Sequence, residues 1–443
     1  MIPTHVNLDN LLQGNLIKVS QYHNQPYMIR DNIAFVINCI SRGQQKNIAE
    51  SEYTPLSSTI LQSVIRNYKE YISFLTQTNI IITDKKYVPN KKTLGYKFNV
   101  PVSGYYNYFI YNPTIINKIK SSMKKNTPRL PADYDHLIKP FDDLSYDEDQ
   151  AALLIESITD LSRKERAIMS LSRIKNKNHQ FSHDRAGRFY SPITSLPKVV
   201  RPALRWQKMP LVETDIKSAV PRFTLPLLDV MSWDENLCET ILKYNPNIIE
   251  KKSAAGFNNN SFTYSLNSNY TISIRDATQY SRVMLCKNDH RDEIDLYKSL
   301  ILDPEKDLYS YLCDFWNDQL KPKISITRDE AKKRFLQILN SPPSHKNKFK
   351  TSLALIFPTV LTIVDWINTG YTKTKVMGRN KYDLACPFAH IGFTLESNYI
   401  IKKVTKDLSC NNPKKPWFTI HDSILCLEED KSIISQIFNN QNN

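Results

Sequence analysis

The chain has 443 residues, with 59 Lys and Arg against 44 Asp and Glu and a net charge of +15. Its length supplies about two or three domains and ample material for their cores, and its surplus of positive charge favours polyanionic partners, with a merely well-solvated surface as the plainer alternative. No apolar run approaches the length of a membrane span, and Cys39, Cys238, Cys286, Cys313, Cys386, Cys410 and Cys426 show no CxxC spacing. A disulfide framework and a structural zinc site are therefore not expected; with no secretory leader in view, a reduced, cytoplasmic setting is.

Residues 30–112 form the first organised stretch. LSSTILQSVIRNYKEYISFLTQTNII carries apolar residues at helical spacing, and IITDKKYVPNKKTLGYKFNV reads as two strands around a basic turn. Helices followed by a basic hairpin suit a winged-helix-like nucleic-acid-binding module over 1–112, gripping a duplex backbone through Lys85, Lys86, Lys91 and Lys92. An ordinary α+β packing module with exposed charges suits the same pattern. Residues 113–145 are rich in Lys, Pro and Asp and read as a linker, and a long amphipathic helical region follows to about 180.

Next comes GRFYSPITSLPKVVRPALRW, where Arg188, Lys198, Arg201 and Arg205 are interleaved with Phe189, Tyr190 and Trp206. That mixture suits phosphates and stacked bases. It runs into LVETDIKSAVPRF, a strand ending at Asp215. Glu213 and Lys217 flank this Asp and are read as turned to other positions along the strand, supporting it at most. Residues 251–292 are rich in Asn, Ser and Tyr and read as an insertion. A helix starting near Ser325 puts Arg328 and Lys332 on one face, where the plainer reading is a solvated helix that pairs them with Asp329 and Glu330. Lastly, WFTIHDSILCLE places Asp422 in a tight turn between two apolar strands.

The order of these elements from Gly187 to about Leu427 resembles the polymerase module of family A nucleotidyltransferases, which include bacterial DNA polymerase I and the single-subunit RNA polymerases. GRFYS is similar to the primer-template element, DIKSAVPR to motif A, RDEAKKRFLQILNS to motif B, LIFPTVLTIVDWIN to the segment after the fingers helix, and TIHDSIL to motif C. The resemblance implies an α+β right-hand polymerase with an antiparallel palm sheet, helical fingers and a reduced thumb. Its parts would be a linker and thumb-like region over 113–180, palm over 181–250 with motif A, insertion and fingers over 251–375, and palm again over 376–443 with motif C. It implies two Mg²⁺ ions held by Asp215, Asp422 and the carbonyl of Ile216. Arg328, Lys332, Val220 and Leu336 would meet the nucleotide, and Arg188, Arg201, Arg205 and His421 the nucleic acid.

Departures from the family pattern bear on substrate. Val220 stands where the DNA polymerases usually carry a Glu that gates the sugar, Leu336 and Asn340-Ser341 replace the aromatic and Tyr-Gly of motif B, and motif C reads His-Asp-Ser as in the RNA polymerases. FTLESNYIIKK, with Glu396, Ser397 and Asn398, stands where a primer-contacting Gln is common. No 3′-to-5′ exonuclease module finds room. The expected activity is addition of deoxynucleotides to a 3′-hydroxyl on a DNA primer-template. An RNA polymerase or primase, a template-independent terminal transferase, or a degenerate polymerase that only binds nucleic acid remain the alternatives; phage replication, mobile-element replication and bacterial defence each accommodate such an enzyme.

Overall fold

The computed structural model describes residues 2–13, 26–47, 53–85, 93–106, 108–126, 130–230, 233–245, 248–251, 262–265, 270–274, 291–320, 325–370, 373–376, 379–382 and 386–440. The protein is α+β, and every strand pair whose register is described is antiparallel. It divides into two compact units. The first comprises Met1–His183, Phe189–Thr214 and Thr405–Asn443, the second Asp184–Arg188 and Asp215–Val404. No helix among the described residues is long and apolar enough to cross a membrane.

In the first unit, helices Pro26–Asn47, Ser58–Val64 and Tyr68–Gln77 pack with a three-stranded sheet of Thr54–Pro55, Gly95–Phe98 and Ile81–Thr83. Tyr71, Phe74 and Leu75 recur at helical spacing and are buried, which is why that segment winds as a helix. Lys86, Lys91 and Lys92 lie outside the described residues. The expected linker is instead largely helical, running as Pro113–Asn126 and then short turns across Ala132–Asp143. Asn112 caps it, its Oδ1 accepting from the amides of Thr114 and Ile115 at 2.9 and 3.3 Å, with Pro113 at the first helical position. The lysines that give this stretch a linker's composition ride on a helix whose Ile115 is buried. The amphipathic region beyond it splits into Glu148–Glu156 and Leu161–Lys175, each N-capped by an aspartate, Asp147 and Asp160.

The functional elements hang on a five-stranded sheet of β1 (Leu144–Tyr146), β2 (Leu204–Trp206), β3 (Met209–Asp215), β4 (Phe418–Ile420) and β5 (Ser423–Leu427), ordered β4-β5-β3-β2-β1. The β2–β3 turn is two residues long, and both Gln207 and Lys208 take positive φ, 48° and 69°. Such a turn matches the right-handed twist of its strands, although neither residue is a glycine. Every residue of β4 and β5 is buried. Beneath them Phe141 meets Phe418 edge-on at 4.9 Å.

The second unit is mainly helical. Its core is built by α1 (Ala219–Thr224), α2 (Leu308–Gln319), α3 (Arg328–Leu339) and α4 (Pro387–Ser397), together with Arg291–Leu302, Lys348–Ile356 and Pro358–Ile367. Leu308, Leu312 and Trp316 of α2 and Ala331, Phe335 and Ile338 of α3 recur at three- and four-residue intervals, and all are buried. At the α1–α4 crossing, a Cβ on Gly392 would sit 2.7 Å from Thr224 Cγ2, so only glycine lets the two helices approach this closely. Tyr270–Ile274 and Phe262–Ser265, within the expected insertion, pair as an antiparallel sheet with Ile249–Lys251 at its boundary. The alternating Thr-Ile-Ser-Ile of Tyr270–Ile274 is a strand signal that the polar composition around it obscures.

Candidate active site

In the first unit the site begins with β3 and its sheet neighbour β5. Glu213 accepts a hydrogen bond from Ser423 Oγ at 3.0 Å and an ion-paired one from Arg201 Nη1 at 2.6 Å, with Lys198 Nζ at 3.8 Å. Because successive strand residues alternate faces, Glu213 shares a face with Asp215, contrary to its expected position. It anchors the start of β5, and so the residue just before it, Asp422. The Glu213 and Arg201 side chains are only 13% and 14% exposed. Removing one partner would strand a charge largely away from water, so Glu213→Ala should destabilise the protein by about 3 kcal/mol. Urea unfolding checks this, and Glu213→Gln, which keeps an acceptor for Ser423, should lose less.

His421 and Asp422 form the whole of the β4–β5 turn, since Ile420 pairs directly with Ser423. His421 takes φ 53°, an uncommon backbone state for a residue with a Cβ. Its ring lies edge-on to Tyr190, centroids 5.3 Å apart. Asp422 is half-buried and Asp215, the last residue of β3, is exposed. Holding a non-glycine residue left-handed costs on the order of 1–3 kcal/mol and recurs at functional sites.

In the second unit the chain leaves Asp215 through Ile216, which is buried, and Lys217. The Lys217 ammonium donates to the carbonyls of Asp303 and Pro304 at 3.4 and 2.9 Å and to that of Lys306. The next residue, Asp307, caps α2 and grips Arg328 at the start of α3 with two bonds of 2.8 Å. A continuous chain of contacts thus ties the exit of β3 to the N-terminus of α3. Ser218, which follows, is also left-handed at φ 52°. Arg328 and Lys332 flank the same ring, each with its charge 5.5 Å from the centre of Tyr309. Burial works to raise the Asp307 carboxyl, but the hydrogen bonds from Arg328 and Ser310 outweigh it and hold it down at about 2. Thr327 and Glu330 form a capping box that sets where α3 begins.

Other expected contacts fall elsewhere. Arg188 is not turned to an outside phosphate: it makes two bonds, 2.9 and 2.8 Å, to the buried Glu396 and stacks 3.6 Å from the Phe393 ring. Arg201 is committed to Glu213, and Arg205 bonds Gln150, Asp147 and the carbonyls of Pro202 and Leu204. These arginines bind their own unit together. Val220 and Leu336 are half-buried against the core of the second unit. Among the described residues no three His, Cys, Asp or Glu side chains gather as a metal-binding group. The roles of Glu213, Ser423, Lys217 and Asp307 escape sequence reasoning, except that Asp307 precedes an apolar helical run as an N-cap does.

No family model, curated protein or solved structure matches this chain. Function rests on the arrangement itself.

Proposed function

We propose that the chain is a nucleotidyltransferase of right-hand polymerase architecture, adding deoxynucleotides to the 3′-hydroxyl of a DNA primer-template. In this reading the five-stranded sheet is the palm, the helices over 291–367 are the fingers, and Glu148–Glu156 with Leu161–Lys175 supply a short thumb. The N-terminal helices and three-stranded sheet are a winged-helix-like arm. The observation that carries the reading is the linkage from β3 through Lys217, the 303–306 turn and Asp307 to Arg328. It supports a site in which an acidic strand end and a cationic helix start serve one substrate.

We assign Mg²⁺ to the carboxylates of Asp215 and Asp422 and the backbone carbonyl of Ile216, hard oxygen donors of the kind that ion prefers. Two such ions, when bound, would supply Lewis acidity at the 3′-hydroxyl and offset charge on the departing pyrophosphate. The chain's own contribution is positional. Lys332, and Arg328 through Nη1, the nitrogen that Asp307 does not take, would hold the triphosphate by charge-assisted hydrogen bonds, and the turn would place His421 beside the primer end.

Primer extension with dNTPs or NTPs, with and without template, tests the reading. Template-dependent use of dNTPs is the expected result. Strict NTP use would promote the RNA polymerase or primase reading, untemplated addition the terminal transferase, and no addition at all a binding module. Sugar choice gives a finer check at Val220. A clash between its branched side chain and a 2′-hydroxyl is worth up to about 3 kcal/mol, against about 1 kcal/mol for one hydrogen bond, so shape should dominate. The preference for dNTPs should therefore shrink in Val220→Gly; unchanged discrimination would remove Val220 from this role.

A further inference from the structure

The first unit contains a cavity of about 390 Å³, within the range of roughly 300–1,000 Å³ typical of small-molecule sites. It lies between helices Pro26–Asn47 and Leu161–Lys175 and the segment around Tyr108, and has no part in the proposed chemistry. Its floor is apolar, with Phe35 buried and Tyr108 half-buried, while Arg42, Arg173, Asn178 and Gln180 supply polar groups. Arg42 Nη2 donates to Gln180 Oε1 at 2.8 Å.

The two arginines make this cavity unusual. No carboxylate among the described residues forms an ion pair with either of them. Burial, and then the like charge of Arg42, pull the Arg173 guanidinium down to about 10. A cationic group withdrawn from water beside another cation costs stability unless an anion compensates it. Planar guanidinium forks match phosphate oxygens. The apolar remainder of the cavity asks for a body attached to that anion. Asn178 and Gln180 are exposed at its rim, where their amides can pair with a nucleobase edge lying against the Phe35 and Tyr108 rings, which an alkyl chain would not use.

We propose that this cavity binds a phosphate-bearing nucleotide, its phosphate on Arg42 and Arg173 and its base against Phe35 and Tyr108. The ligand is either a free nucleoside monophosphate or the 5′-phosphorylated end of a strand, which present the same groups. The site is independent of the polymerase reading.

The test uses the full chain with EDTA present, so that metal-dependent nucleotide binding elsewhere does not contribute. Fluorescence anisotropy compares a short oligonucleotide bearing a 5′-phosphate with the same strand bearing a 5′-hydroxyl, and each is competed with a deoxynucleoside monophosphate or with decanoate. Since its oxygens would accept charge-assisted hydrogen bonds from two guanidinium groups, a 5′-phosphate should tighten binding about tenfold or more if the strand end is the ligand. Competition or direct binding by the monophosphate, without that strand preference, would identify the free nucleotide. In either case Arg42→Gln should abolish the phosphate effect, and Arg173→Lys, which keeps the charge, should retain part of it. Arg42 is half-buried and its described hydrogen bond goes to the exposed Gln180, so its replacement should leave the fold in place, as a thermal melt would verify. The proposal is overturned if neither ligand shows a phosphate effect, if the effect survives Arg42→Gln, or if decanoate competes better than the monophosphate.

Discussion

If the proposed site is right, replacing Asp422 or Asp215 with Ala is expected to abolish nucleotide addition, a loss of at least about a thousandfold, because each carboxylate would hold the ions that offset several kcal/mol of transition-state charge. The fold should survive both changes. Asp215 is exposed, and Asp422 sits in a turn whose flanking strands are buried independently of it, so stability should move by only about 0.5 kcal/mol. Primer extension beside a thermal melt separates the two effects. Near wild-type extension by either folded variant would mean these residues are not the catalytic pair.

The second large effect is expected on α3. Arg328→Ala and Lys332→Ala should each lower the efficiency of nucleotide use by on the order of tenfold to a thousandfold, as charge-assisted contacts to phosphate are lost. Lys333→Ala should do much less, because Lys332, not Lys333, shares the Tyr309 ring with Arg328. Equal losses at 332 and 333 would sink the assigned helix face. Asp307 also fixes the pH behaviour. Its carboxyl is held below its ordinary 3.8, at about 2, so the clamp on Arg328 is at full strength above about pH 4 and fades only as pH falls toward 2. A pH–rate profile from 5 to 9 should therefore contain no step from Asp307.

The parts of this arrangement that were legible in the sequence are local. A two-residue turn between apolar runs marks β4 and β5, and the helix read from Ser325 onward, with its four-residue spacing of Arg328 and Lys332, marks α3. Contacts that depend on distant partners were not legible. Nothing near Glu213 announces that Ser423, more than two hundred residues later, donates to it. Nor does the cluster of basic and aromatic residues from Arg188 to Trp206 reveal that its arginines face inward, because composition records charge and not the carboxylate that meets it. The expected linker over 113–145 departs from the structure for the same reason: a lysine-rich helix such as Pro113–Asn126 and a lysine-rich linker have the same composition, and only the Asn112 cap and the buried Ile115 distinguish them.

The burial of β4 and β5 also bears on motion. A hairpin with every strand residue covered opens only when much of its sheet does, so its amides should be among the slowest in the first unit to exchange with deuterium. The two residues at its tip are carried on that slow framework while reaching solvent themselves. Asp422 would thus keep its position through the microsecond and millisecond fluctuations that move loops, and an arriving substrate would meet a carboxylate already in place.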